Sequence, residues 1–180
     1  MTPTPQALDP DNGRLMLKRW IWLSVLVIAL DQATKYLAGV LLDLHQPVPV
    51  LPSFNLMLTY NTGAAFSFLA DAGGWQRWFF LGLSALVSLG LIVWLWRLKP
   101  SDGRLAAALA LILGGAVGNL IDRAWLGQVI DFIQLYYDRW YWPAFNVADS
   151  AITVGAVLLV ADSLFAKETG PTDHPADDRS

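Results

Sequence analysis

The alternation of apolar and polar positions divides the chain into four long apolar runs and the polar segments between them. The runs cover residues 20–42, 75–98, 104–124 and 143–166. Each is close to the roughly 20 residues that a helix needs to cross a bilayer. The pattern therefore predicts four membrane-spanning helices, flanked by a disordered arm at residues 1–13 and a disordered acidic tail at 168–180.

The first run has a competing interpretation. Arg14, Lys18 and Arg19 precede it, and a basic start followed by an apolar stretch is also typical of a cleaved signal peptide. However, the helical pattern continues far enough to include Asp31 and Lys35, which are four residues apart and therefore on one helix face. We favour a retained span, in which this pair is either an internal ion pair or a contact for a substrate.

The segment 43–74 has a different pattern. Its prolines exclude a long helix, and Phe54, Leu56, Leu58 and Tyr60 occupy every second position. A period of two is typical of a strand with one buried face. We expect a small strand-and-loop platform that rests on one face of the membrane.

The connection 124–142 contains apolar residues whose spacing suggests a short helix on the same membrane surface. These residues are Val129, Ile130, Phe132, Ile133 and Tyr136. The predicted fold is thus an all-α membrane protein: four transmembrane helices, a small β-cradle or loop platform and a short surface helix, all within one domain at 14–167.

Composition agrees with a membrane protein and gives its orientation. Hydrophobic residues make up 55% of the chain and charged residues 15%, against about a quarter charged in ordinary globular domains. Basic residues collect on one side of the predicted spans: Arg14, Lys18, Arg19, Arg97, Lys99, Arg104 and Lys167. Because basic residues favour the cytoplasmic side, we expect both termini inside and the platform outside. The net charge of −3 gives no reason to expect a nucleic acid partner.

Few residue types are available for catalysis. The chain has no cysteine and only two histidines, His45 and His174. Thiol catalysis is excluded, a histidine-based zinc site lacks ligands, and no histidine is placed to activate a serine within the bundle. We therefore expect neither a metal nor another cofactor.

Three carboxylates fall within or beside the last two spans: Asp122, Asp131 and Asp149. An Asp within a bilayer helix costs roughly 2.5–3.5 kcal/mol, so such residues usually face a bundle interior and have a function there. Two adjacent carboxylates share one proton, and such a pair supplies a general base and a general acid. This is the chemistry of an aspartic protease.

Residue chemistry alone leaves the choice of pair open. Asp149 is a member of every candidate pair. Asp122 is next to Arg123, which favours an ion pair, whereas Asp131 lies among apolar residues that favour a proton-binding carboxyl. Asn119 and Asn146 each precede an aspartate by three residues and so share its helix face. The nearby glycines at 114, 115 and 118 are best explained by close helix packing.

Five sequence motifs resemble those of the lipoprotein signal peptidases, or signal peptidase II. They are DQATKY at 31–36, NTGAAFS at 61–67, GGAVGNLIDR at 114–123, VIDF at 129–132 and FNVADSA at 145–151. The resemblance covers about residues 15–167. It implies four transmembrane helices, an outer β-like cradle and a surface helix in a bacterial inner membrane.

The resemblance also implies an activity and a set of site residues. The activity is removal of the signal peptide from a diacylglyceryl-modified prolipoprotein, by cleavage before the lipidated cysteine. Asp131 and Asp149 match the catalytic aspartates. Residues that match positions shaping the site are Asp31, Lys35, Asn61, Gly63, Asn119, Asp122, Arg123, Asn146 and Ala148.

Two other classes of protein remain as alternatives. Polar residues within spans also form ion pathways, so a proton- or ion-coupled small transporter is the second candidate. Against it, the acids gather in the outer half of the spans, and no inverted repeat of spans is visible. A structural bundle is the third candidate, but it does not explain an acid such as Asp149. We expect a monomer that contacts membrane lipids and its substrate.

Overall fold

The structure is a computed structural model that describes residues 10–63 and 74–165. Its four helices are α1 (Pro10–Leu41), α2 (Trp75–Trp96), α3 (Gly103–Trp125) and α4 (Val147–Phe165). Each contains an apolar stretch long enough to cross a membrane: Leu17–Leu41, Trp75–Trp96, Gly103–Trp125 and Val147–Leu164. The four predicted spans are confirmed. The prediction of a disordered arm is wrong for residues 10–13, which form the start of α1. The predictions for residues 1–9, for the tail and for residues 64–73 lie outside the described residues.

Helix α3 is the centre of the bundle. About 61% of its apolar stretch is buried, against 28%, 22% and 17% for α1, α2 and α4. The other three helices therefore surround α3 and turn most of their apolar surface toward lipid, as expected when the solvent is a bilayer.

Glycines let α3 approach its neighbours closely. A Cβ added at Gly114 would lie 2.7 Å from Val27 Cβ in α1, and one added at Gly115 would overlap the carbonyl oxygen of Ala148 in α4. Beside this contact, Ser24 Oγ of α1 donates a hydrogen bond of 2.7 Å to Ala110 O of α3. The predicted packing role of these glycines is confirmed.

A four-stranded antiparallel sheet covers one end of the bundle. Its strands are β1 (Val48–Leu51), β2 (Phe54–Asn61), β3 (Val129–Tyr137) and β4 (Trp140–Tyr141), in the order β1-β2-β3-β4. The predicted strand in the platform is confirmed as β2.

The prediction of a short surface helix between residues 124 and 142 is wrong. All of these residues are described, and beyond the end of α3 they form β3, β4 and their connections. In β3, Asp131 is opposite Thr59 of β2, and Ile130 is opposite Tyr60. Short apolar runs fit helix and strand equally well by periodicity. The β-branched residues of this segment and the open edge of β2 favour the strand.

The opposite end of the bundle holds a group of four basic residues: Lys18, Arg19, Arg97 and Lys99. There Leu17 and Trp20 of α1 pack against a buried cluster that includes Leu95 and Leu98, near the connection between α2 and α3. We call this the basic end, because Lys18 and Arg19 lie between Leu17 and Trp20, and Arg97 and Lys99 flank Leu98. The other end, covered by β1–β4, is the sheet end.

Candidate functional site

The site begins at the first turn of α4, where an asparagine and an aspartate cap each other. The backbone N–H of Asp149 donates to Asn146 Oδ1 at 2.9 Å, and the backbone N–H of Asn146 donates to Asp149 Oδ2 at 3.3 Å. This reciprocal pattern is a capping box, which satisfies two backbone donors that the helix leaves free. It also holds the Asp149 carboxylate at the sheet end of the bundle.

The same asparagine reaches the second carboxylate. Asn146 Nδ2 donates to Asp131 Oδ1 at 2.7 Å and to the carbonyl oxygen of Ile130 at 3.2 Å. On the other side of Asp131, Asn61 Nδ2 from β2 donates to Oδ2 at 3.2 Å. Asn146 is fully buried and Asp131 is only 2% exposed. One side chain thus positions both Asp131 and Asp149.

Asn119 of α3 links Asp149 to a buried cation. Its Nδ2 donates to Asp149 Oδ1 at 2.8 Å, and its Oδ1 accepts from Lys35 Nζ at 3.0 Å and from Asn146 Nδ2 at 3.2 Å. These contacts fix the orientation of the Asn119 amide, because its NH2 group faces a carboxylate oxygen and its carbonyl oxygen faces two N–H donors.

Lys35 is the centre of a buried ion cluster between α1 and α3. Its Nζ lies 2.8 Å from Asp31 Oδ2 and 2.8 Å from Asp122 Oδ2, and the Lys35 side chain is 2% exposed. Of the two interpretations left open for Asp31 and Lys35, the geometry favours the internal ion pair. Asp122 forms its ion pair with Lys35, which lies far away in the sequence, rather than with the adjacent Arg123.

The two carboxylates of this cluster also accept hydrogen bonds from backbone groups of the site. Asp31 Oδ1 accepts from the backbone N–H of Ala148 at 2.8 Å, and so adds a second acceptor at the start of α4. Asp122 Oδ2 accepts from the backbone N–H of Ile130 at 3.2 Å, next to Asp131. The ion cluster therefore positions both segments that carry Asp131 and Asp149.

Arg123 holds the end of β2. Its Nη2 donates to Gly63 O at 3.0 Å, and its guanidinium lies 5.5 Å from the centre of the Phe80 ring. The backbone N–H of Gly63 donates in turn to Asn61 Oδ1 at 3.0 Å. This chain of contacts orients the Asn61 amide toward Asp131.

Asp131 differs from Asp122 in its surroundings. Burial, and after it the nearby negative charge of Asp149, raise the pKa of Asp131 from 3.8 to about 7. The hydrogen bonds from Asn61 and Asn146 and the charge of Lys35 oppose this rise in the pKa of Asp131. Asp131 has no ion-pair partner among the described residues, whereas Asp122 has Lys35. The prediction that Asp131 binds a proton more readily than an ordinary carboxylate agrees with this geometry.

Hydrogen bonds and ion pairs join all of the predicted site residues into one network. Its members are Asp31, Lys35, Asn61, Gly63, Asn119, Asp122, Arg123, Asn146, Ala148, Asp131 and Asp149. A cavity of about 260 Å³ lies beside Asp131 at the sheet end.

Sequence reasoning missed two glutamines. Gln32 Nε2 donates to Asp122 Oδ1 at 2.9 Å and to Asp31 Oδ2 at 3.2 Å. Its position directly after Asp31 in an apolar run was a usable signal. Gln134 lines the cavity, and its position in a segment that was predicted to be helical gave no such signal.

Comparison with a protein-family model gives a match over most of the chain. The model described as "Signal peptidase (SPase) II" matches residues 23–165. This range includes every member of the polar network.

Curated relatives are similar over nearly their full length. A lipoprotein signal peptidase of Pseudomonas syringae pv. tomato is 57% identical over 162 residues, which are 89% of this chain and 92% of the relative. Those of Pseudomonas aeruginosa and Acinetobacter baumannii are 53% and 54% identical, and the matches cover 92% and 87% of this chain and 99% and 89% of the relatives.

Two solved structures share the fold. Both are described as a bacterial membrane enzyme structure obtained by the in meso method, at 2.3 Å and 1.9 Å resolution. The first has a TM-score of 0.77 at 28% identity and covers 87% of this chain and 94% of its own. The second has a TM-score of 0.70 at 29% identity and covers 84% and 95%.

Proposed function

This chain belongs to the signal peptidase II family, and from that premise we propose that Asp131 and Asp149 are the catalytic pair of a membrane aspartic endopeptidase. Its substrates are diacylglyceryl-modified prolipoproteins, and the bond broken is the one before the lipidated cysteine. The observation that carries the assignment of the pair is the bridge through Asn146, which donates to both carboxylates. The alternative of a transporter is not favoured.

The pair works with one proton held between two carboxyl groups. The ionised carboxylate removes a proton from a water molecule, which attacks the carbonyl carbon of the scissile bond. The protonated carboxyl gives its proton to the carbonyl oxygen, and a tetrahedral diol forms. When the diol collapses, a carboxyl proton passes to the leaving nitrogen of the cysteine, and the C–N bond breaks.

The neighbouring amides support this chemistry by holding the carboxylates in place. Asn61, Asn119 and Asn146 each donate to Asp131 or Asp149, and none of them can take up a proton itself near neutral pH. Lys35 contributes positive charge at a greater distance, through Asn119. These residues are positioning residues, and the two aspartates are the groups that exchange protons.

The proposed orientation puts the sheet end on the periplasmic side of a bacterial inner membrane, with both termini in the cytoplasm. It rests on the basic end, where Lys18, Arg19, Arg97 and Lys99 are found. In this orientation the reacting bond lies near the outer surface of the bilayer. The apolar signal peptide and the acyl chains remain in lipid, and the mature polar chain leaves toward water.

The test is cleavage of a lipid-modified precursor by purified protein. We expect the wild type to release the signal peptide. Asp131→Asn and Asp149→Asn should each lower turnover by about 10⁴-fold or more, and the double variant should be no worse than either, because the two groups act as one unit. Asp138→Asn, in the exposed β3–β4 turn, is the matched control.

Asp122→Asn separates the pair from the buried ion cluster. It keeps one acceptor oxygen, which can serve Lys35 or Gln32 but not both, and it removes the negative charge. We therefore expect measurable turnover and a loss of stability of about 1–3 kcal/mol. The measurements are precursor cleavage and thermal unfolding in detergent. If Asp122→Asn is inactive while Asp131→Asn cleaves normally, the catalytic pair is Asp122 with Asp149, and our assignment is wrong.

A further inference from the structure

The cavity beside Asp131 extends away from the carboxylate pair along the sheet. Its lining comprises Met57, Thr59, Tyr60, Asn61, Asp131, Gln134, Tyr141, Trp142, Pro143 and Ala144. These residues belong to β2, β3, β4 and the connection from β4 to α4, and so lie outside the membrane-spanning helices.

An irregularity of the sheet is what brings Asp131 and Gln134 to the same cavity. Residues three apart in a regular strand point to opposite faces. Here the backbone N–H groups of Phe132 and Ile133 both donate to Phe145 O, at 3.0 and 2.8 Å. The pairing of β3 with β2 also shifts at this point, between Leu56 and Thr59. Such bulges redirect side chains, often next to active sites.

Gln134 presents a hydrogen-bond donor to this cavity. It is 8% exposed, and its Oε1 accepts from Asn55 Nδ2 at 3.1 Å. Among the described residues its Nε2 donates to Met57 Sδ at 3.7 Å, and a thioether is a weak acceptor. The amide can therefore donate to an oxygen atom that enters the cavity.

We propose that this cavity binds the side chain of the substrate residue that follows the lipidated cysteine, and that Gln134 and Tyr141 determine which side chains it accepts. This inference rests on the proposed function. The volume of about 260 Å³ is below the roughly 300–1,000 Å³ of pockets for drug-sized ligands, so it suits one side chain rather than a diacylglyceryl group.

The position of the cavity is the reason for proposing that it binds the residue after the lipidated cysteine. The signal peptide is apolar and the acyl chains belong in lipid, whereas the cavity is built by the sheet outside the spans. The mature chain beyond the cysteine is the part of the substrate that passes the sheet. Because the lining is neutral except for Asp131, an uncharged polar side chain is favoured, and an acidic one is repelled.

The experiment uses precursors that differ only at the residue after the lipidated cysteine: Ala as reference, then Ser, Asn, Asp, Lys and Trp. The quantity measured is kcat/KM relative to Ala for each enzyme, because this ratio is insensitive to changes that affect all precursors equally. For the wild type we expect Ser and Asn to exceed Asp and Trp by about tenfold.

Two variants test the two sides of the cavity. Gln134→Glu keeps the acceptor for Asn55 but replaces the donor with a negative charge. The kcat/KM ratio should therefore rise for the Lys precursor and fall for the Asp and Asn precursors. Tyr141→Ala widens the cavity, so the ratio for Trp should rise about tenfold. Gln46→Glu and Tyr36→Ala, at exposed positions away from the cavity, are matched controls and should keep the wild-type ratios.

The outcomes distinguish this inference from the proposed function. Wild-type ratios in both Gln134→Glu and Tyr141→Ala, with the Ala precursor still cleaved, would overturn the inference and leave the function intact. If Gln134→Glu cleaves nothing, the Trp precursor in Tyr141→Ala is the remaining test: a wild-type kcat/KM ratio for it would overturn the inference. A wild type that cleaves no precursor contradicts the proposed function, and the inference fails with it.

Discussion

At the scale of residues, carboxylates that lie close together in this protein have different surroundings. Asp122 faces the Lys35 ammonium at 2.8 Å, which stabilises its negative charge. Among the described residues, Asp131 accepts hydrogen bonds only from the amides of Asn61 and Asn146, and it lies near the like charge of Asp149. Burial without a cation favours proton binding. In the proposed assignment, Asp122 is structural because Lys35 forms an ion pair with it, and Asp131 is catalytic because it has no such partner among the described residues.

The pH dependence of cleavage follows from the raised pKa of Asp131. Its ordinary pKa is 3.8, and in the fold it is about 7, so the pair still holds a proton at neutral pH. Above about 7 this proton is lost and the general acid disappears; at low pH both carboxyls are protonated and the general base disappears. We expect a bell-shaped profile of kcat/KM whose alkaline limb falls from about pH 7.

The profile is measured with a precursor that lacks groups titrating near neutrality. Because the two carboxyls titrate as a coupled pair, both limbs belong to the pair rather than to one residue. A rate that keeps rising up to pH 9 would contradict the need for a shared proton.

At the scale of elements, the site depends on how closely α3 packs against α1 and α4. The glycines of α3 allow this approach: a Cβ at Gly118 would lie 2.6 Å from Asp31 Oδ2, the carboxylate that accepts from the backbone of Ala148. The packing of the helices and the orientation of the catalytic turn of α4 are therefore coupled.

Gly115→Ala is expected to weaken this packing. Its Cβ would overlap Ala148 O, and overpacking in a tight contact typically costs about 1–3 kcal/mol. Turnover should also fall, because Ala148 adjoins Asp149. The measurements are thermal unfolding in detergent and precursor cleavage.

Gly90→Ala in α2 is the matched control for this substitution. An added Cβ there meets nothing within 4 Å, so the change should be neutral or stabilise the helix by up to about 1 kcal/mol. Equal effects of the two substitutions would mean that close approach of α3 and α4 is not what Gly115 provides.

At the scale of the whole molecule, the two ends of the bundle have different compositions. The basic end carries Lys18, Arg19, Arg97 and Lys99, whereas the sheet end carries the candidate carboxylate pair and the cavity. Exposed aromatic residues lie at both ends, for example Trp22 and Trp125. Aromatic side chains of this kind are typical of the boundary between lipid and water. The candidate site therefore lies at one end of the bundle, away from the basic end.

Single cysteines can test the proposed orientation, because the chain has none of its own. Ser53→Cys lies in the exposed turn between β1 and β2, and Ser101→Cys lies in the exposed link between α2 and α3. In intact cells, a thiol reagent that cannot cross the inner membrane should label the first and not the second. The reverse pattern would contradict the orientation and the periplasmic site.

The sequence by itself determined the four spans, the strand β2 and the types of residue available for catalysis. Span length and apolar content are local properties, so they can be read without knowing which segments touch. The motifs also contained every residue of the polar network; Gln32 lies within the first motif, but its hydrogen bonds to Asp31 and Asp122 were not predicted. The absence of cysteine and the scarcity of histidine left carboxylates as the main candidates for acid–base chemistry.

Only the tertiary structure decided which partner each polar group has. Residues 129–137 form a strand because β2, about seventy positions earlier, supplies the edge on which they pair. Asp122 forms its ion pair with Lys35, which reaches it from α1, rather than with Arg123, which follows it in sequence. The cavity at Gln134 exists because a bulge redirects β3. Each of these contacts joins distant parts of the chain, and a local pattern contains no information about the distance between them in space.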